Sequence, residues 1–223
     1  MARLFDVVTF DCYGTLVDWE RGIEEACRAA AAADGVRLDP AALLAAYAEI
    51  EPQVEAEPYR SYRDVLAETA RRVAARLGWR LADARAGFLA LSLPAWPPFA
   101  DTNPALERLA RAGYRLGILS NVDDDLLAGT RRHFTVDFDL LVTAEQVGAY
   151  KPAPAHFTVA RQRIAGARWL HAAQSHVHDV VPACAGGIPV AWINRARQAP
   201  SNAARPAREL HSLTELADWL APD

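Results

Sequence analysis

The chain has 223 residues, of which 52% are hydrophobic, 23% charged and 9% aromatic. That supplies enough apolar side chain for a full core and excludes a disordered polymer. A net charge of −4 without a long basic block gives nucleic-acid binding no electrostatic support, and no apolar run reaches the roughly 18 residues of a membrane span. The opening residues are too acidic and their apolar stretch too short for a signal peptide, so a cytoplasmic protein is expected. Cys12, Cys27 and Cys184 are odd in number and scattered, which fits neither a disulfide framework nor a zinc site.

The segment Leu4–Phe10 is apolar and rich in β-formers, and it empties into the turn Asp11-Cys12-Tyr13-Gly14-Thr15. From about Val17 to Ala95 the pattern is helical. Ile23–Ala33 is alanine-rich, Asp39-Pro40 opens a helix by cap-then-proline logic, and Tyr62–Leu77 is amphipathic and stops at Gly78. Leu93–Phe99 carries three prolines and reads as a hinge. Beyond it, helices at 103–112, 123–133, 155–164, 181–186 and 213–220 alternate with strands at 114–119, 139–143, 169–173 and 190–193. With the first strand this makes a five-strand parallel sheet, since strand–helix alternation implies right-handed crossovers. The expected fold is α/β, a doubly wound, Rossmann-like parallel sheet core (residues 1–16 and 97–223) with an inserted α-helical cap domain (residues 17–96).

In such a sheet, ligands gather at the carboxyl ends of the strands. Four polar clusters fall there: Asp11–Thr15, Ser120-Asn121, Lys151, and Ser175–Asp179. Each also has a plain structural alternative. Asp11 can cap a turn, Ser120 and Asn121 can cap a helix, Lys151 can be a surface cation, and Asp179 can be a helix-start charge. One count favours chemistry at Lys151. It is the single lysine among 24 basic residues, in a chain that uses arginine wherever either cation serves, which marks a place where a compact ammonium is needed.

Taken together these residues resemble the haloacid dehalogenase superfamily. Asp11-Cys12-Tyr13-Gly14-Thr15-Leu16 matches its first motif, Ile118-Leu119-Ser120-Asn121 the second, Tyr150-Lys151-Pro152 the third, and the stretch holding Asp179 the fourth; Trp192-Ile193-Asn194-Arg195 adds a likeness to the 2-haloacid dehalogenase branch. Phosphatases of the superfamily carry a second aspartate in the first motif and two acids in the fourth. Here Tyr13 and Ser175 stand in those places, which removes the general acid and a carboxylate that Mg²⁺ would want.

The resemblance therefore implies a hydrolase without metal or cofactor, acting on a small 2-halo carboxylic acid through an aspartyl ester on Asp11. In that scheme Lys151 favours the ionised form of Asp11. Asp179 holds Lys151 or activates water, and Thr15, Ser120 and Asn121 orient Asp11 and bind the substrate carboxylate. Cys12 and Tyr13 line the pocket, with Ser175, His176 and His178 beside them.

His176 and His178 depart from the family's Asn and aromatic residue. The expected cap arginine is absent, because Ala46-Tyr47-Ala48 occupies its place, so Arg60 and Arg63 are the candidate replacements and Tyr62 a pocket wall. The partner implied is the small acid alone, with a homodimer as the assembly considered. Three alternatives stay open: a same-branch hydrolase of another small acid such as azetidine-2-carboxylate, a Mg²⁺-dependent phosphatase, and a non-catalytic binding protein.

Overall fold

The computed structural model describes residues 3–222. The described chain forms two compact units, one made of residues 3–18, 98–121 and 132–222, the other of residues 19–97 and 122–131.

The first unit is built on a six-stranded sheet. Its strands are β1 (Val7–Phe10), β2 (Arg115–Ser120), β3 (Leu140–Thr143), β4 (Trp169–Ala173), β5 (Val190–Ile193) and β6 (Arg208–Leu210), in the order β3-β2-β1-β4-β5-β6. Every neighbouring pair is parallel. β1, β4 and β5 are buried at each residue. This is why their sequences read as continuous apolar runs rather than alternating ones.

On one face, Val7, Leu119, Val142, Trp169 and Val190 of the strands close over Phe157, Ala160 and Ala183 of two helices, Ala155–Ile164 and Val181–Ala185. The chain leaves β1 toward β2 and β3 on one side, then returns to β4, β5 and β6 on the other. In sheets of this kind that reversal marks the carboxyl ends of β1 and β4 as the place where ligands bind.

Two features differ from expectation here. β6 adds a sixth strand; its sequence, Arg-Glu-Leu, is short, charged and exposed at two of three positions, so it carries no apolar signal. It pairs in parallel with the edge of β5, and Arg208 stacks over Trp219. The residues after β4 do not loop directly into a helix either. His176–Val180 winds as a π-helical turn, capped by the Ser175 hydroxyl accepting from the His178 amide at 3.1 Å, and such turns concentrate at functional sites.

The second unit contains the helices Trp19–Ala33, Pro40–Glu55, Tyr62–Arg76 and Phe88–Ser92. Asp39 caps the second by accepting from the Ala42 amide at 2.8 Å, with Pro40 at the first helical position. The third begins at Ser61, and Asp123 grips its first turn, accepting from the amides of Tyr62 and Arg63 at 2.8 and 2.9 Å.

Residues 122–131, separate in sequence, join this unit because the helix Asp124–Thr130 packs on the turn Leu93–Ala95. Gly129 permits that approach, since a Cβ there would stand 2.7 Å from Pro94 Cβ. The proline-rich segment expected as a hinge is packed, with Leu93 and Trp96 both buried. No helix among the described residues is long and apolar enough to cross a membrane.

Gly22 lies inside the first helix of this unit, and a Cβ there would collide with the Trp96 ring. Alanine normally gains about 1 kcal/mol over glycine in a helix. Here overpacking is expected to reverse the sign, so that Gly22→Ala destabilises by about 1–3 kcal/mol. Thermal denaturation checks this, and Trp96→Leu added to Gly22→Ala is expected to recover part of the loss.

Candidate active site

Each of the four polar clusters follows a strand or the loop beyond one. Asp11 is the residue after β1, Ser120 closes β2, and Gln174–Asp179 follows β4. Lys151 comes after β3 and the short helix Ala144–Val147. Lys151 gathers the others around its ammonium. Nζ donates to Asp11 Oδ1 at 2.9 Å, to Asp179 Oδ1 at 2.7 Å and to the Leu119 carbonyl at 2.9 Å. An ammonium has three donors, so none remains for a ligand. The side chain is 1% exposed.

Its backbone is held as firmly. The Lys151 amide donates to Asn121 Oδ1 at 2.7 Å, and Asn121 Nδ2 donates to the Lys151 carbonyl at 3.1 Å. Asn121 thus clamps Lys151 through both ends of its amide.

Asp11 is oriented from the other side. Thr15 Oγ1 donates to Asp11 Oδ2 at 2.8 Å and accepts from the Gln174 amide at 2.9 Å, tying the loop after β1 to the loop after β4. Gly14 has φ +97°, a conformation that favours glycine, and it lets the turn close so tightly. Arg195 supports the same loop. It forks onto both oxygens of Asp101 at 3.1 and 3.0 Å, reaches the Thr15 carbonyl at 2.9 Å, and stacks over Phe99.

The charges are uneven: one ammonium faces two buried carboxylates. Burial works against each charge, and the partners decide the outcome. For Asp179, Lys151 and His171 outweigh burial and hold its carboxyl well below the usual carboxylate range. For Asp11, burial is the largest effect, Asp179 adds to it, and Lys151 with Thr15 only partly offsets them, so its carboxyl is raised. The sequence reading credits Lys151 with favouring ionised Asp11. Lys151 does pull that way, but burial exceeds it. Lys151 itself is pushed up, because its two carboxylates overcome the burial that opposes its charge.

Other expected residues fall as follows. Ser120 is buried, its hydroxyl has no partner among the described residues, and its carbonyl pairs with His156 Nε2 at 3.1 Å. His156, not anticipated, is held to about 4 by burial and by Lys151.

Ser175 caps the π turn. His176 packs its ring on Trp192 at 4.8 Å between centroids. The Ser201 amide donates to its Nδ1 at 3.3 Å, which leaves the proton on Nε2, a buried donor with no partner among the described residues. His178 is lowered by burial. Cys12 is fully buried, and burial pushes its thiol up, which keeps it protonated. Tyr13 is half-buried and bridges to Val17 through its backbone.

In the helical unit, Arg60 pairs with Glu57, Arg63 with Asp125 at 2.6 Å, and the Tyr62 hydroxyl with Glu51 at 3.1 Å. Glu51 is raised to about 7 by burial.

Sequence reasoning missed the layer behind Asp179. His171 Nε2 sits 3.0 Å from Asp179 Oδ1, and His171 Nδ1 sits 2.8 Å from Thr9 Oγ1. The available signal was polar residues at Thr9 and His171, which pair in register on adjacent, otherwise apolar strands.

A family model described as haloacid dehalogenase-like hydrolase matches residues 5–172. The (S)-2-haloacid dehalogenase H-109 of Pseudomonas putida is 28% identical over 229 residues, covering 96% of each chain. A second (S)-2-haloacid dehalogenase of that species is 32% identical over 127 residues, covering 55% of this chain and 56% of its own. Among solved structures, an L-2-haloacid dehalogenase from Xanthobacter autotrophicus with chloropropionic acid covalently bound shares the fold. Its TM-score is 0.82 at 20% identity, covering 96% of this chain and 97% of the other.

The raised carboxyl of Asp11 makes a signed prediction about stability. A group raised on folding contributes stability at low pH that is lost as pH climbs through its folded value. Asp11→Asn is therefore expected to raise the melting temperature at pH 7, with the advantage closing toward pH 4 and below. Asp179 has the opposite sign: its contribution is present above the ordinary carboxylate range and drains away as pH falls. Asp179→Asn is expected to destabilise at pH 7 and progressively less in acid. Lys151→Met strands two buried carboxylates, and is expected to destabilise by about 3–5 kcal/mol at pH 7. Melting curves from pH 3 to 8 check all three signs.

Proposed function

Because the chain belongs to the haloacid dehalogenase-like hydrolases, we propose that it hydrolyses the carbon–halogen bond of a small 2-halo carboxylic acid through an ester formed on Asp11. The observation that carries this reading is the ammonium of Lys151 held between two buried carboxylates, one of which has, among the described residues, only a hydroxyl as its second partner. Asp11 attacks the α-carbon, the carbon–halogen bond breaks, and the halide departs. Water then adds to the ester carbonyl carbon and passes a proton to Asp179. The ester C–O bond breaks, and the hydroxy acid leaves with an oxygen that came from Asp11.

Two unpartnered donors, the Ser120 hydroxyl and His176 Nε2–H, are assigned to the substrate carboxylate. Lys151 cannot serve there, since its donors are spent. Asp179 Oδ2 is a buried acceptor with no partner among the described residues, which suits it to receive the water proton. The halide is assigned to Arg60 or Arg63, whichever shares its guanidinium between its present carboxylate and the departing anion.

A Mg²⁺-dependent phosphoryl transfer fits the residues poorly. Magnesium wants several carboxylate or water oxygens in an octahedron. Here the two carboxylates are bridged by an ammonium, and Tyr13 stands where a further acid is needed. Among the described residues no group of three or more potential ligands gathers elsewhere.

Chloride release from 2-chloropropionate is expected to be unchanged by EDTA and to fall by at least about 10⁴-fold in Asp11→Asn. Single turnovers in H₂¹⁸O are expected to put the label on Asp11; label in the product alone, with none on Asp11, would show that water attacks the substrate directly. The acid limb of kcat/KM is expected to lie above the ordinary aspartate range of about 4.

Of Arg60→Ala and Arg63→Ala, one is expected to lose roughly 10²-fold in dehalogenation, comparable to removing a preorganised anion donor, and the other to stay within about twofold. Halide-release assays on chloro- and bromo-acids measure both, and full activity in each variant removes arginine from the halide site.

A further inference from the structure

His171 is fully buried in the middle of β4, and the reaction as written above gives it nothing to do. Its surroundings dictate where its proton lies. The Trp169 indole N–H donates to Thr9 Oγ1 at 2.7 Å. An indole can only donate, so the Thr9 hydroxyl accepts there, and the same oxygen lies 2.8 Å from His171 Nδ1. The Asp179 carboxylate only accepts, so His171 Nε2 carries a proton and donates it to Oδ1 at 3.0 Å. The chain links indole, hydroxyl, imidazole and carboxylate, with the indole donating at one end and the imidazole donating to the carboxylate at the other. Phe157 meets the imidazole edge-on at 5.2 Å between centroids and fixes its plane.

The consequence falls on the two oxygens of Asp179. Oδ1 receives both Lys151 Nζ and His171 Nε2, while Oδ2 receives nothing from the described residues. Lys151 alone would leave the carboxylate free to turn about that single bond. A second, perpendicularly supported donor on the same oxygen prevents it. Asp11 is untouched by this arrangement, because its oxygens are held by Lys151 and Thr15.

We propose that His171, backed by Thr9 and Trp169, is a positioning residue for the second half of the reaction, pinning Asp179 by Oδ1 so that Oδ2 stays bare and aimed as the base for ester hydrolysis. This rests on the aspartyl-ester reading. In the step it serves, water forms the new bond to the acyl carbon and gives a proton to Asp179 Oδ2. The ester C–O bond breaks, the product oxygen takes that proton, and Asp11 returns to its carboxylate with loss of the remaining proton to solvent.

The prediction is a step-specific defect. His171→Phe removes the donor, and Thr9→Val cuts the chain behind it with an isosteric side chain and keeps a readout available if the first variant does not fold. In both, ester hydrolysis is expected to slow about tenfold or more while formation of the ester is spared. With 2-chloropropionate, kcat and KM then fall together and kcat/KM stays within about threefold. A chloride burst stoichiometric with enzyme precedes slow turnover, and intact-protein mass shows the Asp11 ester accumulating. His171→Gln, whose amide nitrogen reaches the place of Nε2, is expected to recover most of the rate. Folded variants with wild-type kcat, or with kcat/KM falling as far as kcat and no burst, overturn the proposal. Absence of chloride release from the wild-type protein would overturn the aspartyl-ester reading itself.

Discussion

One ammonium shared by two buried carboxylates is the constraint that organises this site. Taking three charged groups out of water is expensive, and only close pairing and complete hydrogen bonding make it tolerable. Lys151 satisfies its own donors fully, yet the cluster keeps one negative charge too many. The excess is not divided evenly. Asp179 has His171 as a second donor and settles below the usual carboxylate range, whereas Asp11 has only the Thr15 hydroxyl and is raised.

In the reaction proposed above, that imbalance has a chemical use. There Asp11, poorly compensated in its resting state, is the nucleophile, and converting it to a neutral ester would relieve the site of its surplus charge. What remains is Lys151 with Asp179, a balanced ion pair. Charge bookkeeping of this kind destabilises the ground state relative to the intermediate. It rests on a concrete geometric fact, three Nζ contacts of 2.7–2.9 Å at a side chain almost wholly removed from solvent.

The fold's task is to bring positions 11, 120, 151 and 179 together and keep them there. Parallel strands deliver their carboxyl ends to one edge, but strands alone do not set side chains to within a few tenths of an ångström. Cross-loop hydrogen bonds do. Asn121 clamps the backbone of Lys151, Thr15 links Asp11 to the Gln174 amide, and Arg195 binds the same loop to Asp101. Most of these fastenings join segments far apart in the chain and use side chain to backbone contacts, which leave little trace in residue type.

The sequence by itself was enough for the parallel α/β core, the inserted helices and the family. Those follow from local signals: apolar runs of strand length, caps such as Asp39-Pro40, the motif turn after β1, and a lone lysine in an arginine-rich chain. Tertiary structure decided what local signals cannot carry. β6 is a strand because β5 offers it an edge, not because Arg-Glu-Leu prefers one. Residues 122–131 side with the helical unit because Gly129 admits Pro94. His171 has meaning only because register sets it beside Thr9 and the π turn brings Asp179 to its Nε2. The reason is the same in each case. Propensity and pattern act over a few residues, while burial, hydrogen-bond direction and the balance of buried charge are properties of neighbours that only the folded chain supplies.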